Sequence, residues 1–297
     1  MHLKAYLLLT LTMLVWGGNT VAGKLAVGHV SPMLLTALRW GLPIFVLAPF
    51  CLVQLRRDWP VLRRNMLVLF LLGAVGFGFF NAVFYSALLY TSAVNVSIEQ
   101  AGMPMFIFML NFALFRIQPN WAQLVGFGLS LFGVILTATH GDLTSLASLR
   151  INYGDALMIF AALLYAGYTV GLRYRPNLPW QSMMPVMYVS GLLGALPFVA
   201  WEIASGEVVW PDLQGWSVVA YSVLFASILS QLFYIWSVEM IGANRAGVFI
   251  NLSPIFGTLL SVVILAEAFH LYHAIALTLV LSGIALAEHT SRKNGGS

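Results

Sequence analysis

The chain has 297 residues, 60% of them hydrophobic and 8% charged, and a net charge of +4. Soluble domains carry about 25% charged residues, so this composition leaves too little polar surface for water and points to a lipid bilayer as solvent. The charge is too small and too scattered for a nucleic-acid footprint. A single cysteine, Cys51, excludes an internal disulfide framework and a cysteine-based metal cluster.

Lys4 precedes an apolar run that continues to about Ala22. No small-residue cleavage site ends it, so it reads as a retained first helix rather than a signal peptide. A spanning helix needs ~20 mostly apolar residues. Ten such segments are expected, at 5–23, 32–54, 66–89, 94–115, 121–139, 154–173, 182–201, 216–237, 245–265 and 271–289. The connections are short and none is long enough for a folded domain. The longest, 140–153, divides the chain into 1–146 and 147–297.

With the N-terminus in the cytoplasm, the cytoplasmic segments hold Lys4, Arg56, Arg57, Arg63, Arg64, Arg116, Arg173, Arg175, Arg245, Arg292 and Lys293. The outer loops hold only Lys24 and Arg150, and Arg39 lies within the second helix. This asymmetry predicts both termini inside and an even number of helices.

The two halves echo each other at a spacing of about 150 residues. Trp16-Gly-Gly18-Asn19-Thr20-Val21 parallels Tyr165-Ala-Gly167-Tyr168-Thr169-Val170. Asn81 and Tyr85 parallel Ser230 and Tyr234, and Pro43 has a rough partner in Pro197. Pro104 and Phe106 match Pro254 and Phe256, and Phe132-Gly133-Val134 matches Ser282-Gly283-Ile284. Five helices per copy is an odd number, so the second copy enters the membrane upside down. The expected fold is therefore an all-α integral membrane protein of ten transmembrane helices in two inverted five-helix repeats. That arrangement is a signature of alternating-access transporters.

Polar groups mark the interior. Trp16, Asn19 and Thr20 share one helix face, as do Tyr165, Tyr168 and Thr169. Asn81 and Tyr85, and Ser230 and Tyr234, are also one turn apart. Hydrogen-bond glue between helices, worth ~0.6–2 kcal/mol per contact, has no need to recur on the same face of both copies; a shared cavity does. Gln100 and Asn251 sit beside Pro104 and Pro254, where a proline frees a backbone carbonyl one turn back. Arg39 and Glu99 fall at similar depths, ~8–10 Å below the outer edge at ~1.5 Å per residue. They are expected either to form an outer gate pair or to bind the two ends of a zwitterion; a structural ion pair is the plainer alternative.

Other features read as structural. The spacings Gly167/Gly171, Gly126/Ser130 and Gly191/Gly194 suit close helix packing, and Gly73-Ala-Val-Gly76-Phe-Gly78 suits a bend. Gly18 to Lys24 fits part of a phosphate-loop pattern, but Leu25 follows where Ser or Thr is required. His270 and His273 lack further ligands for a metal. All six histidines (2, 29, 140, 270, 273 and 289) lie near helix ends, which argues against a buried histidine relay. Asp155 and Glu267, also near helix ends, are expected to be solvated.

Trp16-Gly-Gly18-Asn19, an arginine early in helix 2, the prolines of helices 4 and 9, and Ala266-Glu267 closing helix 9 resemble the drug/metabolite transporter superfamily, EamA-type. The resemblance covers essentially the whole chain and is closest to YddG-like amino-acid exporters. It implies export of amino acids and related metabolites through a central cavity between the repeats, with helices 5 and 10 at the periphery and no cofactor or metal. In the first copy Ile117 stands where Glu267 stands in the second. The resulting expectation is an exporter of neutral and aromatic amino acids in a bacterial inner membrane, with lipid and small molecules as its partners and a monomer sufficient. Trp16, Asn19, Arg39, Asn81, Tyr85, Glu99, Gln100, Tyr165, Tyr168, Tyr234 and Asn251 would bind substrate, and Pro43, Pro104, Pro197 and Pro254 would act as hinges. The alternatives are a proton-coupled multidrug or organic-cation exporter with Glu99 as the acidic group, a purely structural membrane subunit, and a membrane enzyme. The last lacks a catalytic cluster in the sequence.

Overall fold

The computed structural model describes residues 2–116, 120–142 and 152–294. Ile117 and Arg150, and the side chains of His2, His289, Arg292 and Lys293, lie outside the described residues. The described residues form ten helical rods and no strand. They are α1 (His2–Leu25), α2 (Pro32–Arg64), α3 (Met66–Ala87), α4 (Ala93–Phe115), α5 (Trp121–Ala138), α6 (Tyr153–Gly171), α7 (Trp180–Ala204), α8 (Leu213–Ile241), α9 (Ala243–Phe249 and Leu252–Leu265) and α10 (Leu271–Asn294). Nine are long and apolar enough to cross a membrane, and α10 adds a shorter apolar stretch, Leu271–Leu286. Large side chains such as Phe45, Phe50, Leu67 and Val263 point outward, as the surface of a bilayer protein requires.

Local chemistry sets the helix ends. Ser92 caps α4 by accepting the Asn95 amide at 3.0 Å. Asn120 and Gln123 close a reciprocal capping box on α5, and Asp212 caps α8 through the Gly215 amide at 2.8 Å. Each cap satisfies a backbone donor that the helix start leaves open, worth ~1 kcal/mol. The α2 rod runs ten residues beyond the expected 54. Its 33 residues span about 50 Å, more than the ~30 Å of hydrocarbon. The extension continues in spite of Pro60, pinned by Asp58, which accepts from Gln54 at 3.0 Å and from the Ser182 hydroxyl of α7 at 2.6 Å.

The two copies pack as mirror partners. α2 lies along α7, α4 along α9 and α5 along α10. α1 packs on α8 and α9, and correspondingly α6 packs on α3 and α4. The main core runs through α1–α4 and α6–α8, while a smaller one joins α4, α5 and α10 around Val134, Ala276 and Val280. The close crossings depend on missing side chains. A Cβ on Gly17 would stand 2.6 Å from the Gly257 nitrogen and 2.7 Å from the Ser253 carbonyl of α9. Gly126 and Ser130 of α5 meet Gly283 of α10 in the same way. Gly167, by contrast, faces open space, so its expected packing role is not fulfilled.

Four rods are irregular, in matched pairs. α3 contains a π-helical segment, Ala74–Phe79, and α8 another, Tyr221–Leu229. α4 breaks at Gly102 and α9 at 250–251. Pro104 follows the first break and Pro254 the second. Pro43 and Pro197 lie inside continuous helices.

Candidate functional site

The centre of the bundle is organised around Arg39, which is 7% exposed. Its Nη1 donates to Asn19 Oδ1 of α1 at 2.9 Å and to the Tyr85 hydroxyl of α3 at 2.5 Å. Its Nε donates to Ser227 Oγ of α8 at 3.1 Å. Tyr85 in turn donates to Asn19 Oδ1 at 3.1 Å. The guanidinium carbon lies 4.8 Å from the Trp40 ring centroid and 5.9 Å from that of Tyr85. Every one of these partners is neutral. Among the described residues no carboxylate is within ion-pair distance of Arg39, and its Nη2 has no hydrogen-bond partner there.

The π segments build this setting. A π turn leaves a carbonyl out of line with the helical ladder, and in each segment one carbonyl is met by an aromatic from the facing helix. Trp40 Nε1 donates to Phe77 O at 2.8 Å, joined by Asn81 Nδ2 at 2.9 Å. In the second copy the Tyr188 hydroxyl of α7 donates to Ser227 O. Trp40 and Tyr188 thus repeat at the internal spacing, as do Phe77 and Ser227. Arg39 has no such twin, since Met187 occupies the equivalent position.

Aromatic rings extend the site on both sides. Trp16 donates Nε1 to Ser230 Oγ at 2.9 Å and lies 5.6 Å from the Tyr234 ring. Tyr165 lies 5.1 Å from Phe80 and 5.6 Å from Tyr168, which lies 5.8 Å from Phe77. These contacts mirror one another: α1 on α8, α6 on α3. Gln100 and Asn251 are half-buried at the two helix breaks. Neither Gly102 nor Asn251 makes a side-chain cap for the helix segment that follows, so two mid-bundle helix starts present their positive dipole ends.

The Lys24 end of the bundle is tied shut. Glu202, at the end of α7, accepts from Ser31 Oγ at 2.6 Å and from the Met33 and Leu34 amides at the start of α2. Glu267, after α9, accepts the Ala93 and Val94 amides of α4, both at 2.9 Å. Lys24 donates to Leu88 O and Thr91 O, and His29 meets Asp212 at 2.7 Å. A narrow crevice lies at this end among Gly23, Ala26, Leu35 and Tyr85. At the opposite end the cross-ties include Asp58–Ser182 and Arg173–Asn111.

The EamA-like transporter family model matches this chain twice, over residues 3–139 and 152–288. The chain belongs to the EamA-like transporter family. The two matches account for the repeated halves. Its similar proteins include the uncharacterised transporter YetK of Bacillus subtilis, 28% identical over 95% of this chain and 86% of the relative. YyaM of the same organism is 25% identical over 98% and 95%. The inner membrane transporter YicL of Salmonella typhimurium, also uncharacterised, is 24% identical over 98% and 97%. A crystal structure with 22% identity and a TM-score of 0.65 covers 99% of both chains and shares the fold. The protein is thus a multi-pass membrane transporter of the drug/metabolite superfamily.

Within this EamA-like fold the structure brings Asn19, Arg39 and Tyr85 into one cluster, with Asn81 attached through Phe77 O. Arg39 and Glu99 do not pair. Arg39 turns toward α1, α3 and α8, whereas both Glu99 oxygens are sealed and without a hydrogen-bond partner. Three end-of-helix expectations are corrected. Asp155 is 0% exposed rather than solvated, because Thr91, Asn95 and His140 hydrogen-bond to it. Glu267 caps α4 instead of facing water. His273 lies in the first turn of α10 and is buried, bonded to Asn95 Oδ1 at 3.0 Å. Trp40, Tyr188, Ser227 and Glu202 are the residues that sequence reasoning missed. The Trp40/Tyr188 recurrence was a usable signal.

Proposed function

We propose that the protein exports amino acids, neutral and aromatic ones first, by alternating access between two repeats, 1–146 and 147–297, as in YddG-like exporters. The observation that carries this reading is the buried guanidinium of Arg39 with neutral partners and a free edge. Burying an unpaired charge is costly, and a carboxylate is the group that a guanidinium fork meets best. Asn19, Tyr85 and Ser227 hold the fork in place, so a substrate carboxylate meets a preformed donor. The mid-bundle helix starts near Gln100 and Asn251 add favourable potential for the same group. Trp16, Tyr165, Tyr168 and Tyr234 supply an aromatic wall for an apolar side chain. A phosphorylated substrate would call for more cations than one arginine.

The basic side chains at Arg56, Arg57, Arg63, Arg64, Arg173 and Arg175 support a cytoplasmic location for that end, with both termini inside a bacterial inner membrane. The Lys24 end then faces outward, and its Glu202 and Glu267 ties describe an outward-closed state. Opening it requires α4 and α9 to flex, for which the breaks beside Pro104 and Pro254 are better placed than Pro43 or Pro197. The second reading, a proton-coupled exporter of organic cations, draws on one observation, the unpartnered carboxyl of Glu99.

The test is flux in liposomes. Saturable exchange of several labelled neutral amino acids supports the first reading. Gradient-driven movement of organic cations without amino-acid flux transfers support to the second.

A further inference from the structure

Glu99 is 1% exposed, and neither carboxyl oxygen has a hydrogen-bond partner. Among the described residues no basic side chain lies within ion-pair distance of it. An ionised carboxylate there is uncompensated, and burying one costs far more than burying the neutral acid. A purely structural group in such a place would be hydrogen-bonded.

One turn nearer the Lys24 end, on the same face of α4, stands Asn95. It joins a cluster drawn from α4, α6, α10 and the turns before α4 and after α5. Asn95 Nδ2 lies 3.3 Å from Thr91 Oγ1, 3.4 Å from Asp155 Oδ1 and 3.2 Å from His140 Nε2, and its Oδ1 meets His273 Nε2 at 3.0 Å. His140 Nε2 lies 3.0 Å from Asp155 Oδ2. The His140 side chain is 49% exposed and Asp155 is fully buried. The ladder thus runs from solvent through His140 and Asp155 to Asn95, and Glu99 stands one turn further along α4. The members of the ladder are satisfied and Glu99 is not.

We propose that Glu99 is a proton-binding site loaded from the Lys24 end through His140 and Asp155, which makes the transporter a proton exchanger. The proposal rests on the transport reading above and adds its coupling ion. His140 takes a proton from hydronium at Nδ1, leaving water, and gives one from Nε2 to the Asp155 carboxylate at Oδ2, so an N–H bond breaks as an O–H bond forms. Asp155 passes its proton to the Glu99 carboxylate when the end opens and admits water; Asn95 holds the register and carries no proton. The other titratable groups around this end include Lys24 of α1, His29, Glu202 at the end of α7, Asp212, Glu267 after α9, and His270, Tyr272 and His273 around the start of α10. Lys24 is engaged with carbonyls of the turn between α3 and α4, and Glu267 with the first amides of α4. His270 donates its backbone amide to His273 Nδ1.

Two readouts on the full-length protein in liposomes test this. Infrared difference spectra between two pH values, without substrate, should show the carbonyl stretch of a protonated carboxyl that Glu99→Gln abolishes. Asp155→Asn and His140→Gln should keep that band and slow its appearance after a pH jump. In parallel, the steady-state accumulation of labelled L-phenylalanine should change about tenfold per unit of imposed pH difference if one proton is exchanged. In Glu99→Gln that dependence should vanish. A spectrum unchanged by Glu99→Gln, or a gradient response that survives it, overturns the proposal. If wild-type protein moves no amino acid yet shows the Glu99 band, the substrate reading fails and the proton site stands.

Discussion

Replacing Glu267 by alanine should open the Lys24 end. The Glu267 carboxylate holds the first two amides of α4, both at 2.9 Å, and thereby joins α9 of one repeat to α4 of the other. Hydrogen bonds to a charged acceptor contribute ~1.5–3 kcal/mol each. Glu267 is half-buried, and water replaces it on the amides once the end opens, which leaves a net of about 2 kcal/mol for the pair. That corresponds to a roughly 30-fold shift toward the open state. Glu267→Gln keeps one acceptor oxygen and should shift it less. The assay is alkylation of a reporter cysteine at Ala26, which is 4% exposed and lines the crevice at that end, in a Cys51→Ala background with a membrane-impermeant maleimide. A labelling rate unchanged by Glu267→Ala, in protein with unaltered thermal stability, would refute the latch.

Arg39→Lys keeps the charge but loses the planar fork that serves Asn19, Tyr85 and Ser227 together; substrate exchange should fall at least ~10-fold with folding intact, measured as initial rates in liposomes. Gly17→Val forces a side chain against the α9 backbone at 2.6–2.7 Å, so it should destabilise the bundle by ~1–3 kcal/mol, seen as a lower melting temperature in detergent. Asp212 lies outside the spans. The Gly215 amide, and then His29, hold its carboxyl below the ordinary carboxylate range. The folded value is depressed, so this stabilisation is present above the unfolded value and lost as pH falls through the folded one. The difference in melting temperature between wild type and Asp212→Asn should therefore shrink under acid and hold at neutral pH.

The ten helices were legible because hydropathy alone fixes what a bilayer accepts. The Pro104 and Pro254 twins led to the broken helices, although the breaks themselves fall at Gly102 and at 250–251. The π segments were not legible. Ala74–Phe79 is rich in glycine but Tyr221–Leu229 contains none, and what marks both is a facing Trp or Tyr on a different helix. The failed Arg39–Glu99 pairing has a plain cause: counting residues gives depth along a helix and not its rotation within the bundle. Asp155, Glu202 and Glu267 were misread or passed over because each finds its partners on helices distant in sequence, which no local pattern announces. Asn19, Arg39 and Tyr85 were found singly by their polarity in apolar runs, and only the fold joins them.

The most direct test of the account is counterflow in liposomes of L-phenylalanine against its methyl ester, for wild type and Arg39→Lys. The account predicts exchange of the free acid, little exchange of the ester, and loss of that preference in Arg39→Lys. Equal exchange of acid and ester by wild type, or a preference that survives Arg39→Lys, would contradict a carboxylate held by Arg39.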